Sequence, residues 1–285
     1  MSNKFYFGTS IKINNNIIDK IKNIKAVGGN FIQIFIIKPG IKNILEYDKK
    51  LDDLKDYLIK NNMKVVVHSS YLHNLARNWD KHSWWLNNLE LEIKYAHNIG
   101  AIGIVVHFGK KLDLSINEAY NNMYTALIYI HNKTKEYKDI KIFLETSTGQ
   151  SSEICYKLED LAYFYKKISR NENKDIKNRI KLCIDTCHVF AAGYSLKTKK
   201  EVKLFLESFE ELIGLKYVKL IHLNDSKVNV GCQIDRHENI AKGYIGLKGL
   251  KYLFNYFRKL KIPTILETPG DSYLSEISML LKNIS

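Results

Sequence analysis

The stretch Cys183-Ile184-Asp185-Thr186-Cys187-His188-Val189-Phe190-Ala191-Ala192-Gly193-Tyr194 sets the reading of the whole chain. An apolar run ends in Asp185, His188 follows three residues later, and small residues with Gly193 carry the chain away. This is the pattern of a strand that delivers a carboxylate and an imidazole into a loop, and the two together suggest a metal ion. Taken alone, the same residues also read as a helix cap at Asp185 followed by an ordinary polar His188. The neighbouring segments decide between the two.

Short β-branched or aromatic runs recur on both sides of this stretch: Phe5-Tyr6-Phe7, Phe31 to Phe35, Val65 to Val67, Ile102 to Val106, Ile140 to Leu144, Leu182 to Ile184, Val218 to Leu223 and Thr264 to Leu266. Between them lie segments of helical period, such as Leu51, Leu54, Tyr57, Leu58 and Leu86, Leu89, Ile93, Ala96. Strands that alternate with helices imply a parallel sheet, and eight such units within 285 residues predict an α/β fold, a (β/α)8 TIM barrel. An open doubly wound sheet more often carries a Gly-rich phosphate loop after an early strand, and Gly28-Gly29 precedes its strand instead. Asn98-Ile99-Gly100 closes one helix with the residue a left-handed cap requires. No linker or change of composition divides the chain, so residues 1–285 are expected to form a single domain.

Each of the last six strands finishes in a metal-ligand residue: His68, His107, Glu145, Asp185, His222 and Glu267. All strands of a parallel barrel point the same way, so these side chains would converge on one mouth, the face where such barrels place their chemistry. His188 and the Asp235-Arg236-His237 triplet extend the set. In an extended segment Asp235 and His237 share a side while Arg236 faces away. Five imidazoles and four carboxylates exceed what one ion can use, so two or three ions are implied. Mixed nitrogen and oxygen ligands suit zinc or manganese better than magnesium or calcium. Of the other histidines, His82, His97 and His131 are expected on solvated helical faces, and His73 could line the mouth.

Composition fits a compact protein with a large core: 45% of residues are hydrophobic, 26% are charged and only 3 are Pro. No apolar run reaches the length of a membrane span, and Met1 to Ser10 lacks the order of a signal peptide. A soluble, intracellular, non-secreted monomer is the expectation. Cys155, Cys183, Cys187 and Cys232 are too few for a disulfide scaffold and are expected as buried free thiols. The net charge of +14 would attract a polyanion such as nucleic acid, although lysine and asparagine are abundant throughout the chain.

Paired metal ions are the arrangement of phosphatases and nucleases, where they neutralise charge that develops on phosphorus. Glu145, with His68 and His107 before it in strand order and Asp185 and His222 after it, is the natural bridging and catalytic carboxylate. A third ion at His188, Asp235 and His237 would stabilise a departing oxygen. Hydrolysis of a nucleic-acid phosphodiester follows as the expected reaction. A metal-dependent sugar isomerase on the same barrel is the alternative, but it needs fewer ligands and no polyanion-seeking surface.

Several long motifs are similar to those of endonuclease IV, the family 2 abasic-site endonucleases: His68-Ser69-Ser70-Tyr71-Leu72-His73-Asn74-Leu75, Glu145-Thr146 with Gly149-Gln150, residues 183–194, His222-Leu223-Asn224-Asp225-Ser226-Lys227, Asp235-Arg236-His237-Glu238-Asn239 and Leu266-Glu267-Thr268-Pro269. The match spans nearly the full chain, and all nine ligand positions carry the expected residue. The resemblance implies three zinc ions per chain, with manganese as an option at one site. His68, His107 and Glu145 would hold the first, Glu145, Asp185, His222 and Glu267 the second, and His188, Asp235 and His237 the third. It further implies incision of double-stranded DNA on the 5′ side of an abasic site, leaving a 3′-hydroxyl and a 5′-deoxyribose phosphate, with removal of blocked 3′ ends, as in base excision repair. Tyr71 and Leu72 match the pair that the family inserts at the lesion, and Lys227 and Arg236 are the accompanying DNA-contact candidates. The chain departs from the family at Gly40, where an Arg that contacts DNA is frequent, at Phe108-Gly109-Lys110-Lys111 and at Cys232-Gln233.

Overall fold

The computed structural model describes residues 4–36 and 50–282. The elements run β1 (Phe7–Ser10), α1 (Ile17–Ala26), β2 (Phe31–Phe35), α2 (Lys50–Lys60), β3 (Lys64–His68), α3 (Trp84–Asn98), β4 (Gly103–His107), α4 (Ile116–Lys133) and β5 (Lys141–Glu145). They continue with α5 (Leu158–Ser169), α6 (Lys174–Arg179), β6 (Ile180–Asp185), α7 (Thr186–Ala191), α8 (Lys199–Leu212), β7 (Val218–His222), β8 (Asp225–Ser226), β9 (His237–Glu238), α9 (Leu247–Lys259), β10 (Thr264–Leu266) and α10 (Tyr273–Lys282). Strands β1 to β7 and β10 pair in parallel and close on one another, β10 against β1, as a single eight-stranded barrel. The remaining two strands, β8 and β9, form a short antiparallel hairpin above the strand ends. The (β/α)8 barrel read from the sequence is therefore the fold.

Strand period explains both the core and the site. Side chains alternate between the barrel interior and the helices. The outward positions, among them Val65, Val67, Ile104, Val106, Ile142, Leu144, Leu182 and Ile184, join the helices in one large buried cluster. The inward positions Phe31, Val66, Val105, Phe143, Cys183, Leu220 and Ile265 form a second, smaller cluster that fills the barrel. Strands buried on both faces are apolar in nearly every position, which is why they read as continuous runs. Two residues beyond each of the last six interior positions stands a ligand candidate, so the apolar plug is the floor of the site.

Helix boundaries follow local chemistry. Ser115 and Thr198 each accept from the backbone N–H three residues on, while Glu118 and Glu201 reach back to close capping boxes at α4 and α8. Gly100 ends α3 at φ 72°, the left-handed conformation expected there. At Gly8 a Cβ would lie 1.6 Å from the carbonyl oxygen of Phe31, so the close pairing of β1 with β2 admits no side chain.

Four expectations need correction here. The first strand is Phe7–Ser10, not Phe5 to Phe7; the Phe5 ring leaves the ladder and packs edge-on against Phe254 at 5.7 Å. His131 is buried in α4 beneath Arg179, because it follows Leu127 by four residues on the stripe that faces the core. His82 lies in a turn ahead of α3, where its N–H donates to Asp80, and only His97 stands exposed on a helix, beside Asp139. All four cysteines are free, but Cys232 is exposed where a buried thiol is expected, while the other three are buried. No helix among the described residues is long and apolar enough to cross a membrane.

Candidate metal centre

Glu145, at the end of β5, lies at the middle of the barrel mouth and is 1% exposed. Its Oε2 is 3.3 Å from His68 Nε2 and 3.1 Å from His107 Nε2, while its Oε1 is 2.7 Å from His222 Nδ1. The next ring of contacts joins His222 Nδ1 to Glu267 Oε2 at 3.0 Å and to Asp185 Oδ2 at 3.8 Å. Above it, Asp235 Oδ1 stands 3.3 Å from Nε2 of both His188 and His237, and Asp185 Oδ2 is 3.6 Å from His237 Nε2. All nine sequence-predicted ligand positions thus meet in one continuous cluster. Ligand atoms of Glu145, Asp185, His222 and Glu267 lie within 4.8 Å of one another, as do those of Asp185, His188 and His237.

Four of the five imidazoles are held from behind. Nδ1 of His68 faces the Ser69 carbonyl at 2.8 Å, that of His188 the Thr146 carbonyl at 2.8 Å, and that of His237 the Glu267 carbonyl at 3.2 Å. A carbonyl can only accept, so Nδ1 carries a proton and Nε2 is the nitrogen turned inward. His222 is reversed: its Nε2 lies 2.9 Å from Gln33 Oε1, and Nδ1 faces the carboxylates. This pattern of outer partners is how proteins orient histidine ligands.

Asp185 answers to both readings of its sequence. The residues after it form the helix α7 instead of the expected loop, and Asp185 Oδ1 accepts the His188 N–H at 2.9 Å as the helix cap. Its Oδ2 accepts from Asn224 Nδ2 at 2.6 Å and faces the cluster. The cap sets the first turn of α7 and thereby brings His188 over the site.

The donor set fits divalent cations. Nε2 atoms of His107, His188 and His237 are buried without a hydrogen-bond partner and point at carboxylates, which is the state of ligands drawn around an ion. Three carboxylates, Glu145, Asp185 and Glu267, crowd one buried volume where only positive charge could compensate them. Burial pushes the His107 imidazole down to about 4, which leaves it neutral and able to coordinate. Burial also opposes ionised Glu145 and Glu267, yet His222 and its neighbours outweigh it and hold Glu145 well below the usual carboxylate range and Glu267 down to about 2. Asp185, in contrast, is pushed up by burial. Against burial, His188 is raised by Asp185 and Asp235, and His222 by Cys183, Glu267 and Glu145. Raised in this way, both rings favour the charged form, a positive charge that bound cations would replace.

Tyr71 stands at the rim, 53% exposed, with its ring 5.1 Å from that of His68 and 5.4 Å from that of His107. Leu72 beside it is half-buried, and its N–H donates to Ser70 Oγ. Lys227 and Arg236 are exposed on facing sides of the hairpin, joined by the Lys227 N–H to Arg236 carbonyl bond at 2.9 Å. His73 does not line the mouth; it is buried 3.3 Å from Glu92 on α3. Gly40 lies outside the described residues. Sequence reasoning missed Gln33 and left Asn224 without a role, although a glutamine inside the apolar run Phe31 to Phe35 was a visible signal.

Comparison with known proteins places this geometry. A family model described as a xylose isomerase-like TIM barrel matches residues 21–283. The class is thus that of xylose isomerase-like TIM barrels. The chain is 36% identical to a probable endonuclease 4 of Thermosipho melanesiensis, over 88% of this chain and 87% of the relative, and 31% identical to a putative endonuclease 4 of Acanthamoeba polyphaga mimivirus, over 93% and 86%. The crystal structure of endonuclease IV from Thermus thermophilus superposes with a TM-score of 0.78 at 23% identity, covering 98% of this chain and all of that one. A D-tagatose 3-epimerase-like protein shares the fold with a TM-score of 0.71 at 16% identity over 97% and 96%. The chain belongs to the endonuclease 4 family and is a hydrolase of the deoxyribonuclease type.

Proposed function

We propose that the protein is a zinc-dependent abasic-site endonuclease of DNA repair, which hydrolyses the phosphodiester 5′ to an abasic site to leave a 3′-hydroxyl and a 5′-deoxyribose phosphate, and which also cleans blocked 3′ ends. The observation that carries this reading is Glu145, buried with one oxygen toward His68 and His107 and the other toward His222. His68, His107 and Glu145 would hold one ion, Glu145, Asp185, His222 and Glu267 a second, and His188, Asp235 and His237 a third, with manganese an option at one of them. Such ions, when bound, supply an activated water and neutralise the charge that develops on phosphorus and on the leaving oxygen.

The chain's own residues supply the rest. Backbone carbonyls behind His68, His188 and His237 keep their Nε2 atoms turned inward. Tyr71, exposed beside two ligand imidazoles, offers an aromatic edge to a helix opened at the lesion, and Leu72 continues that edge. A sugar that lacks its base loses little stacking when it leaves the duplex, which makes an abasic site the least costly nucleotide to extrude. Lys227 and Arg236 share the hairpin of Asp235 and His237, so contacts to the phosphate backbone and to the cluster are set by one element. The excess of 44 Lys and Arg over 30 Asp and Glu favours a polyanion such as DNA.

The test is incubation with a duplex that carries a single abasic site, with and without chelator, beside aldose sugars. Cleavage 5′ to the lesion that chelation abolishes and zinc restores is the expected result. Isomerised sugar with intact duplex would replace this reading with the isomerase alternative.

A further inference from the structure

Gln33 is fully buried in β2, one of the two barrel strands that contribute none of the nine ligand candidates, and its side chain lies against two of them. Its Nε2 donates to Glu267 Oε1 at 2.6 Å, and its Oε1 accepts from His222 Nε2 at 2.9 Å. The two bonds fix one another. A carboxylate oxygen can only accept, so the amide nitrogen must face Glu267, and the amide oxygen must then face His222. An oxygen in that place requires a proton on His222 Nε2, so Nδ1, at 2.7 Å from Glu145 Oε1 and 3.0 Å from Glu267 Oε2, is the nitrogen left to meet an ion once its own proton is displaced.

Position and residue type both bear on this. His68, His188 and His237 are each oriented by a backbone carbonyl, a feature that any sequence provides, whereas His222 depends on one side chain. A carboxamide can accept from an imidazole through its oxygen and donate to a carboxylate through its nitrogen at the same time, on two atoms spaced to reach both partners. Leucine would satisfy neither partner. Glutamate would oppose its own charge to Glu267. Asn224 makes the matching bridge on the other side of the set, donating to Asp185 Oδ2 at 2.6 Å and accepting the Glu267 N–H at 2.7 Å.

We infer that Gln33 is a positioning residue for the second cation: it locks the tautomer of His222 and the rotamer of Glu267 so that both present lone pairs to one ion. The inference rests on the reading that Glu145, Asp185, His222 and Glu267 hold metal. Outer partners of this kind change metal affinity by ~10–100-fold when removed.

The experiment compares wild type with Gln33→Leu and Gln33→Glu. Zinc per chain is measured by elemental analysis after dialysis against graded chelator, and the imidazole nitrogens of the zinc-loaded proteins are followed by 15N NMR. Wild type is expected to keep its zinc and to show one ring with protonated Nε2 and coordinated Nδ1. Both variants should release one equivalent at a chelator strength ~10–100-fold lower, with that ring's signals shifted or averaged. Gln33→Glu differs from wild type by one atom type, and so gives the answer if Gln33→Leu does not fold. Zinc retention equal to wild type in a folded variant, or an unchanged ring spectrum, would overturn the inference. Wild type that binds no zinc would instead remove the metal reading itself.

Discussion

Six ligand candidates stand at the ends of barrel strands and three stand on the connections above them, and the two groups differ in how firmly the fold holds them. Glu145 is 1% exposed at its side chain and is braced by β4 and β6, whereas Asp235 is 38% exposed on the segment leading into a two-residue strand. The strand set is fixed by the hydrogen-bond ladder of the barrel. The upper set depends on a helix cap at Asp185 and on a hairpin, so its metal should exchange first and its substitution should cost less. The cluster is thus built from a rigid floor and a more open roof, where, on the proposed function, a phosphodiester would enter.

The largest effect tests the floor. Glu145→Gln keeps the size of the side chain but removes the charge that two ions would share on the proposed function, and cleavage of an abasic duplex should fall by more than ~10³-fold with the circular dichroism spectrum unchanged. Turnover near that of wild type would take the bridging role from Glu145. The comparison itself is sharpened by chelation: one equivalent of zinc should leave before the others, and Asp235→Asn should lack that early equivalent while retaining the rest. Simultaneous loss of all ions in wild type would show that floor and roof are a single unit. At the rim, Tyr71→Ala should leave zinc content intact and weaken binding of the abasic duplex by about 10-fold, the scale of one lost aromatic stack; loss of zinc in this variant would assign Tyr71 to the cluster instead. The smallest effect belongs to the hairpin, where Lys227→Ala and Arg236→Ala should each lower the slope of log affinity against log salt by about one, read from binding isotherms at several salt concentrations.

The floor is legible in the sequence because two regularities coincide there. Strands of period two, with a ligand residue at the end of each, tell both where the side chain lies along the barrel and which way it points. The connections lack such a period. Residues 186–191 are small or apolar in every position but His188 and read equally as loop or helix, so α7 stays hidden although its cap residue is visible. His131 misleads for a related reason: histidine suggests a solvated face, yet its spacing from Leu127 puts it on the buried one. Gln33 carries no charge and ends no strand, so its part in the site becomes visible only when Glu267 and His222, 234 and 189 residues away, fold onto it.

The most direct test of the account is anomalous diffraction from zinc-soaked crystals at the zinc absorption edge. The expected maps show separate peaks over the barrel mouth, with Glu145 oxygens at about 2.0–2.2 Å from two of them and a further peak between His188, Asp235 and His237. Peaks that avoid Glu145, or a single peak served by only one of the two sets, would contradict it.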